Sequence, residues 1–185
     1  MSFPSNIKNL SRRKFIKTSV KITAGIIAAS PLTSLASQSQ FHKLSFYHTH
    51  TCETLDLDFN LKTCKPKKEK ELVRFLRDFR TGDIHPIDYR LLDMLCRLQK
   101  EFGSSGTFEV ISGYRSPATN KKLRNSSNGV AKKSLHMEGR AIDIRLSDVS
   151  TKKISAKAWA LQRGGVGYYS KSDFVHLDTG RVRSW

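Results

Sequence analysis

Cysteine is scarce in this chain: three among 185 residues, with no Cys-x-x-Cys pair. That excludes thiol-held structural zinc and haem attachment, both of which need closely spaced cysteines. Internal repeats are missing. So is any recognisable RNA- or DNA-binding motif. Beyond the N-terminal region no apolar run could cross a bilayer. Acidic residues are few as well, 16 against 33 Lys and Arg, which gives a formal charge of +17. A chain of this length holds one domain with a real core.

The N-terminus reads as an address. Arg12 and Arg13 form a twin-arginine pattern. A modest apolar stretch, Val20 to Leu35, follows, and Ser34 and Ala36 put small residues at both key positions of a cleavage site. Basic region, apolar core and small-residue site make a signal peptide over residues 1–36, with the Tat route favoured. An uncleaved anchor is the alternative, though the apolar run is short for a span. The expectation is export to the periplasm, contact with the membrane only in transit, and a mature domain over 37–185. The signal carries six basic residues and no acidic ones, so 17 less 6 leaves +11 on that domain. Such a charge suits a polyanionic partner, and outside the cytoplasm the cell wall qualifies. Nucleic acid fits that address poorly. Solubility alone is the plainest reading, and the lysines of 65–70 belong on a solvated loop or helix start. An exported compartment permits a disulfide, with Cys52 and Cys64 the local candidates and Cys96 buried on a helix.

Residue periodicity predicts α+β, a small antiparallel sheet with flanking helices. Strands are expected over 44–49, 55–61, 108–112, 139–146, 166–169 and 174–178. Helices are expected over 68–79, 87–102 and 117–124, with another inside 149–163. Leu91, Met94, Leu95, Leu98 and Phe102 mark the buried stripe of the second helix. Residues 125–133 read as a polar loop. In the strand 139–146, Ala141, Asp143 and Arg145 share a face. In the strand 174–178, Val175 and Leu177 point to the core, while Phe174, His176 and Asp178 share the other face.

These faces carry the chemistry. His136, Asp143 seven residues on, and a distant His176 make a donor set that zinc accepts, with a fourth position left for water. That suggests a metal hydrolase. Gly139 lets the chain turn between His136 and its strand. Ser134 and Asp178 are candidates to support the ligands from behind or to line the cleft. His42, His48, His50 and His85 read as structural. Spacing alone does not separate ligands from unrelated polar residues.

Ser134, His136, Gly139, Ala141 and Asp143, followed by His176, resemble the pattern of the LAS zinc peptidases, named for lysostaphin, D-Ala-D-Ala metallopeptidases and sonic hedgehog. The stretches at Ser112–Ser116, Gly165–Tyr169 and Thr179–Trp185 extend the resemblance to the MepK (YcbK-like) murein endopeptidases over most of the mature chain. The resemblance implies a hedgehog/D-Ala-D-Ala metallopeptidase-like fold. It also implies Zn2+ held by His136, Asp143 and His176, and peptidoglycan cross-links as substrate. Arg115 falls where that family stabilises the oxyanion or a substrate carboxylate; a surface salt bridge is its plain reading. Asp173 stands three residues before His176, where related enzymes keep a general base; a turn residue is its plain reading. Glu138 makes a His-x-Glu with His136, but the cysteines of the zinc deaminases are missing. A stem-peptide carboxypeptidase and a zinc-stabilised, non-catalytic wall-binding module remain as alternatives.

Overall fold

The computed structural model describes residues 41–126 and 129–185. The expected signal peptide lies outside them. No helix among the described residues is long and apolar enough to cross a membrane.

The chain runs β1 (Phe41–His48), β2 (Thr54–Asn60), β3 (Lys65–Pro66), α1 (Glu69–Phe75), α2 (Arg90–Phe102), β4 (Phe108–Ser112) and α3 (Pro117–Ser126). A short 3-10 turn (Leu135–Glu138) then leads to β5 (Ala141–Leu146), α4 (Thr151–Ala160), β6 (Gly165–Tyr169), β7 (Phe174–Asp178) and β8 (Arg183–Ser184). The strands form one eight-stranded sheet in the order β3-β2-β1-β4-β5-β7-β6-β8. The α+β class is as expected. The sheet is wider than the sequence suggested, because two-residue β3 and β8 close its edges. It is also mixed: β1 with β4 and β6 with β8 run parallel.

The core forms where strand alternation meets the helical stripes. Leu44, Phe46, Leu57, Phe59, Phe108, Val110, Ile144 and Val175 are buried on the sheet. Leu91, Leu92, Leu95 and Leu98 of α2 and Ile154 of α4 cover them. Phe46 sits with its ring 6.0 Å from Phe75 and 5.9 Å from Phe108. A cavity in place of that ring would cost about 3–5 kcal/mol.

Two helices are shorter than their apolar patterns, for local reasons. α1 stops at Phe75, because the Leu76 carbonyl accepts the Tyr114 N–H at 2.7 Å and the Asp78 carboxylate accepts the N–H groups of Arg80 and Ser116. α2 starts at Arg90, because Asp88 accepts the Arg90 N–H and gives its own N–H to Gly139. Gly103, in the left-handed region at φ 58, closes α2.

Cys52 and Cys64 are free and exposed, and Cys96 is free and buried. The expected Cys52–Cys64 pair is corrected here. The two cysteines flank the two ends of β2. A seven-residue strand holds its ends roughly 20 Å apart, and a disulfide needs Cα atoms within about 7 Å.

Candidate metal centre and active-site cleft

The register of the sheet builds the site. β5 and β7 pair antiparallel with Asp143 directly opposite His176. Both side chains therefore leave the same face. β4 pairs with β5 up to Ser112↔Asp143, with an irregularity after Val110. Gly113 to Ser116 thus emerge beside the same spot. Ser116 caps α3, its hydroxyl accepting the Thr119 N–H, and Pro117 takes the first helical position.

His136 arrives on the 3-10 turn. Gly139 ends that turn at φ 62. A Cβ there would stand 2.0 Å from the Pro86 carbonyl oxygen, so glycine serves both the backbone conformation and the close approach. The turn is tied to the Arg115 loop: the His136 carbonyl accepts the Arg115 N–H at 3.1 Å.

His136 Nε2, Asp143 Oδ1 and His176 Nδ1 converge. His176 Nδ1 lies 2.8 Å from Asp143 Oδ1, His136 Nε2 lies 3.2 Å from His176 Nδ1, and His136 Nε2 lies 3.3 Å from Asp143 Oδ1. All three residues are almost shielded from solvent.

The tautomers follow from the partners behind the rings. His136 Nδ1 is 2.7 Å from the Gly113 carbonyl, which only accepts, so the proton sits on Nδ1. His176 Nε2 is 3.1 Å from Asp178 Oδ2, which holds the proton there. The atoms turned to the centre are then two imidazole lone pairs and a carboxylate oxygen. Three acceptors at such separations repel one another unless a cation or added protons lie among them. An ideal tetrahedral site with zinc–ligand bonds near 2.0–2.1 Å has ligand–ligand edges of roughly 3.3 Å. The donor set and its spacing fit that ion.

Electrostatics agree. Burial drives the His136 imidazole down, toward the neutral form. Burial alone would raise Asp143, but His136 and His176 hold its carboxyl well below the usual range. Burial alone would lower His176, yet hydrogen bonds to Asp143 and Asp178 raise it to about 9. A proton there does in part what a bound cation does fully.

Asp178 is wholly buried. Besides His176, it accepts the N–H groups of Gly165 and Gly180 and a two-nitrogen fork from Arg183. It stands on the far side of the His176 ring from Asp143. Ser134 lines the cleft and starts the 3-10 turn, its carbonyl accepting the Met137 N–H.

Arg115 also lines the cleft. Its Nη2 is 3.7 Å from Asp143 Oδ2 and 3.5 Å from the Ser112 hydroxyl, and its buried Nε has no partner among the described residues. A guanidinium this loosely engaged remains available to an incoming anion.

Asp173 is placed elsewhere. It sits in the β6–β7 turn at φ 49. Its carboxylate accepts the Thr151 hydroxyl and borders a separate hollow with Glu109, Arg145 and Asp148. It reaches toward Arg145, further along the sheet, and is not among the residues that line the cleft. Among the described residues the carboxylates lining the cleft are Asp143 and Asp178, and both are engaged.

Sequence reasoning gave no role to several residues that complete the site. Asp78 fixes the loop bearing Arg115. Arg183 saturates Asp178. Trp185 walls the cleft, its Nε1–H donating to the Tyr169 hydroxyl at 3.0 Å. The C-terminal stretch Thr179–Trp185 carried a signal for Arg183 and Trp185. Asp78 left none, being far away in sequence and unremarkable in pattern.

Fold and site together describe an α+β domain whose cleft holds a candidate His-Asp-His metal centre. The chain belongs to the family of the peptidoglycan L,D-endopeptidase MepK, whose family model matches residues 36–185. It is 38% identical over 183 residues to a probable peptidoglycan L,D-endopeptidase MepK of Haemophilus influenzae, covering 97% of this chain and 98% of that one. It is 36% identical over 176 residues to the peptidoglycan L,D-endopeptidase MepK of Escherichia coli K12, covering 95% and 97%. No solved structure matches it.

Proposed function

We propose that this protein is a zinc-dependent endopeptidase that hydrolyses L,D peptide cross-links of peptidoglycan. It would act in the periplasm after export by the Tat route, with residues 1–36 as the signal. The observation that carries the reading is the convergence of His136 Nε2, Asp143 Oδ1 and His176 Nδ1 at 2.8–3.3 Å, each imidazole locked with its lone pair inward.

His136, Asp143 and His176 would hold the metal, which would supply Lewis acidity and activate a water. The Gly113 carbonyl and Asp178 keep both imidazoles in the ligating tautomer. Arg115 meets the negative charge that develops on the scissile carbonyl oxygen. The buried ligand face excludes bulk water, which strengthens that attraction.

The test is digestion of peptidoglycan sacculi with and without chelator, with the products identified by mass spectrometry. Chelator-sensitive loss of L,D-cross-linked dimers supports the endopeptidase. Trimmed monomers beside intact dimers would make it a carboxypeptidase. Bound zinc with no released product would make it a wall-binding module.

A further inference from the structure

The cleft carries an exposed aromatic face and a spare cation that metal binding does not use. Trp185 is 51% exposed although its indole is fixed on several sides. Gly167 pairs with His176 across β6 and β7. The ring lies on that glycine: a Cβ at Gly167 would stand 2.7 Å from the indole. Its Nε1–H is tied to Tyr169, and the Arg183 guanidinium sits 4.8 Å over its centre. Its backbone is bonded on both sides to β6, through Val166 and Tyr168. The indole centre is 5.3 Å from that of His176. A large apolar surface held rigid and left open beside a metal centre is pre-organised for contact.

Lys133 lines the same cleft, is exposed, and pairs with no carboxylate among the described residues. The segment from Arg115 to Met137 holds six Lys and Arg and no Asp or Glu. Of these six, Arg115 and Lys133 line the cleft, Arg115 on the loop that follows β4. Trp185 lies over β6, at the other end of the strand order β4-β5-β7-β6.

We propose that the cleft reads a substrate residue with an aliphatic stem and a free carboxylate, Trp185 seating the stem and Lys133 taking the carboxylate. Within a peptidoglycan stem peptide, a diamino dicarboxylic acid has this chemistry. The inference rests on the endopeptidase reading and deepens it.

The test uses the zinc-loaded mature protein and synthetic sugar-free cross-linked peptide dimers, with the diamino-acid carboxylate free or amidated. Trp185→Ala raises KM about tenfold with kcat little changed, and Trp185→Phe recovers most of the loss. Lys133→Ala raises KM about fivefold on the free acid and leaves the amide unaffected. Three results overturn the inference: a fall in kcat or zinc content for Trp185→Ala with KM unchanged, an equal effect of Lys133→Ala on both substrates, or a Trp185 effect confined to sugar-bearing dimers. Calorimetric binding of the same peptides separates this inference from the reading beneath it. Binding that depends on Trp185 and Lys133 without cleavage sinks the endopeptidase alone. Cleavage and binding indifferent to both residues sink the inference alone.

Discussion

Replacing Asp178 with Asn tests the metal centre at its most buried support. The side chains are nearly the same shape, so the cleft stays filled. The Asn oxygen can keep the N–H groups of Gly165 and Gly180 and one Arg183 nitrogen. Its amide nitrogen replaces Oδ2, which faces His176 Nε2 at 3.1 Å and Arg183 Nη2 at 2.7 Å. A donor then meets a donor. The imidazole resolves this by moving its proton to Nδ1, the atom turned toward Asp143 and His136. The ligating lone pair is thereby occupied. Losing a partner behind a ligating His costs about 10–100-fold in metal affinity, or roughly 1.4–2.8 kcal/mol. The assay is competition for zinc against a chelating dye at neutral pH, with circular dichroism to verify folding. Arg183→Gln is the control: it loosens Asp178 but leaves its acceptor on His176, so affinity falls less. An Asp178→Asn protein that folds and holds zinc within about twofold of wild type would refute the tautomer argument.

Other outcomes follow from the same geometry. Arg115→Ala should lower kcat about 10²–10³-fold with zinc content unchanged; retained kcat in steady-state hydrolysis of cross-linked peptide would remove Arg115 from the reaction. Asp173→Ala should keep turnover within about twofold, because its carboxylate serves Thr151 and not the cleft; a large loss in the same assay would return it to the candidates for base. His48 is fully buried, and burial first, then its neighbour His50, pushes its imidazole down to about 4. The unfolded chain then takes up this proton first as pH falls. Stability is full above about 6.5 and declines toward pH 4, by roughly 3 kcal/mol for this group. Urea unfolding across that range should be flatter in His48→Asn by about that amount, and identical slopes would show that His48 is not the source.

Much of this was legible in residue patterns because local period and buried face agree. Val175 and Leu177 against Phe174, His176 and Asp178 gave the facing of β7 correctly, and the same alternation placed Asp143 on β5. What escaped was set by partners distant in sequence. The end of α1 depends on Tyr114 drawing the Leu76 carbonyl away, and no helical stripe records that. β8 is two residues long, too short for any alternation to show, yet it brings Arg183 to Asp178. Asp173 illustrates the converse. Its spacing from His176 matches a catalytic pattern, but its carboxylate turns to Thr151 and Arg145 and not to the cleft. The open Cys52–Cys64 pairing failed on distance, since proximity in sequence says nothing about a strand lying between.

The Asp143↔His176 register makes the centre depend on parity. Successive strand residues point to opposite faces, so a slip of one residue between β5 and β7 would turn one ligand into the core and a core valine or leucine into the cleft. The turn Ser170–Asp173 carries a like constraint one strand further out: it joins β6 to β7, so its length sets the pairing of Gly167 with His176. Trp185 rests on Gly167, 5.3 Å from the His176 ring, so a one-residue change in that turn would move the indole away from the imidazole without altering either side chain.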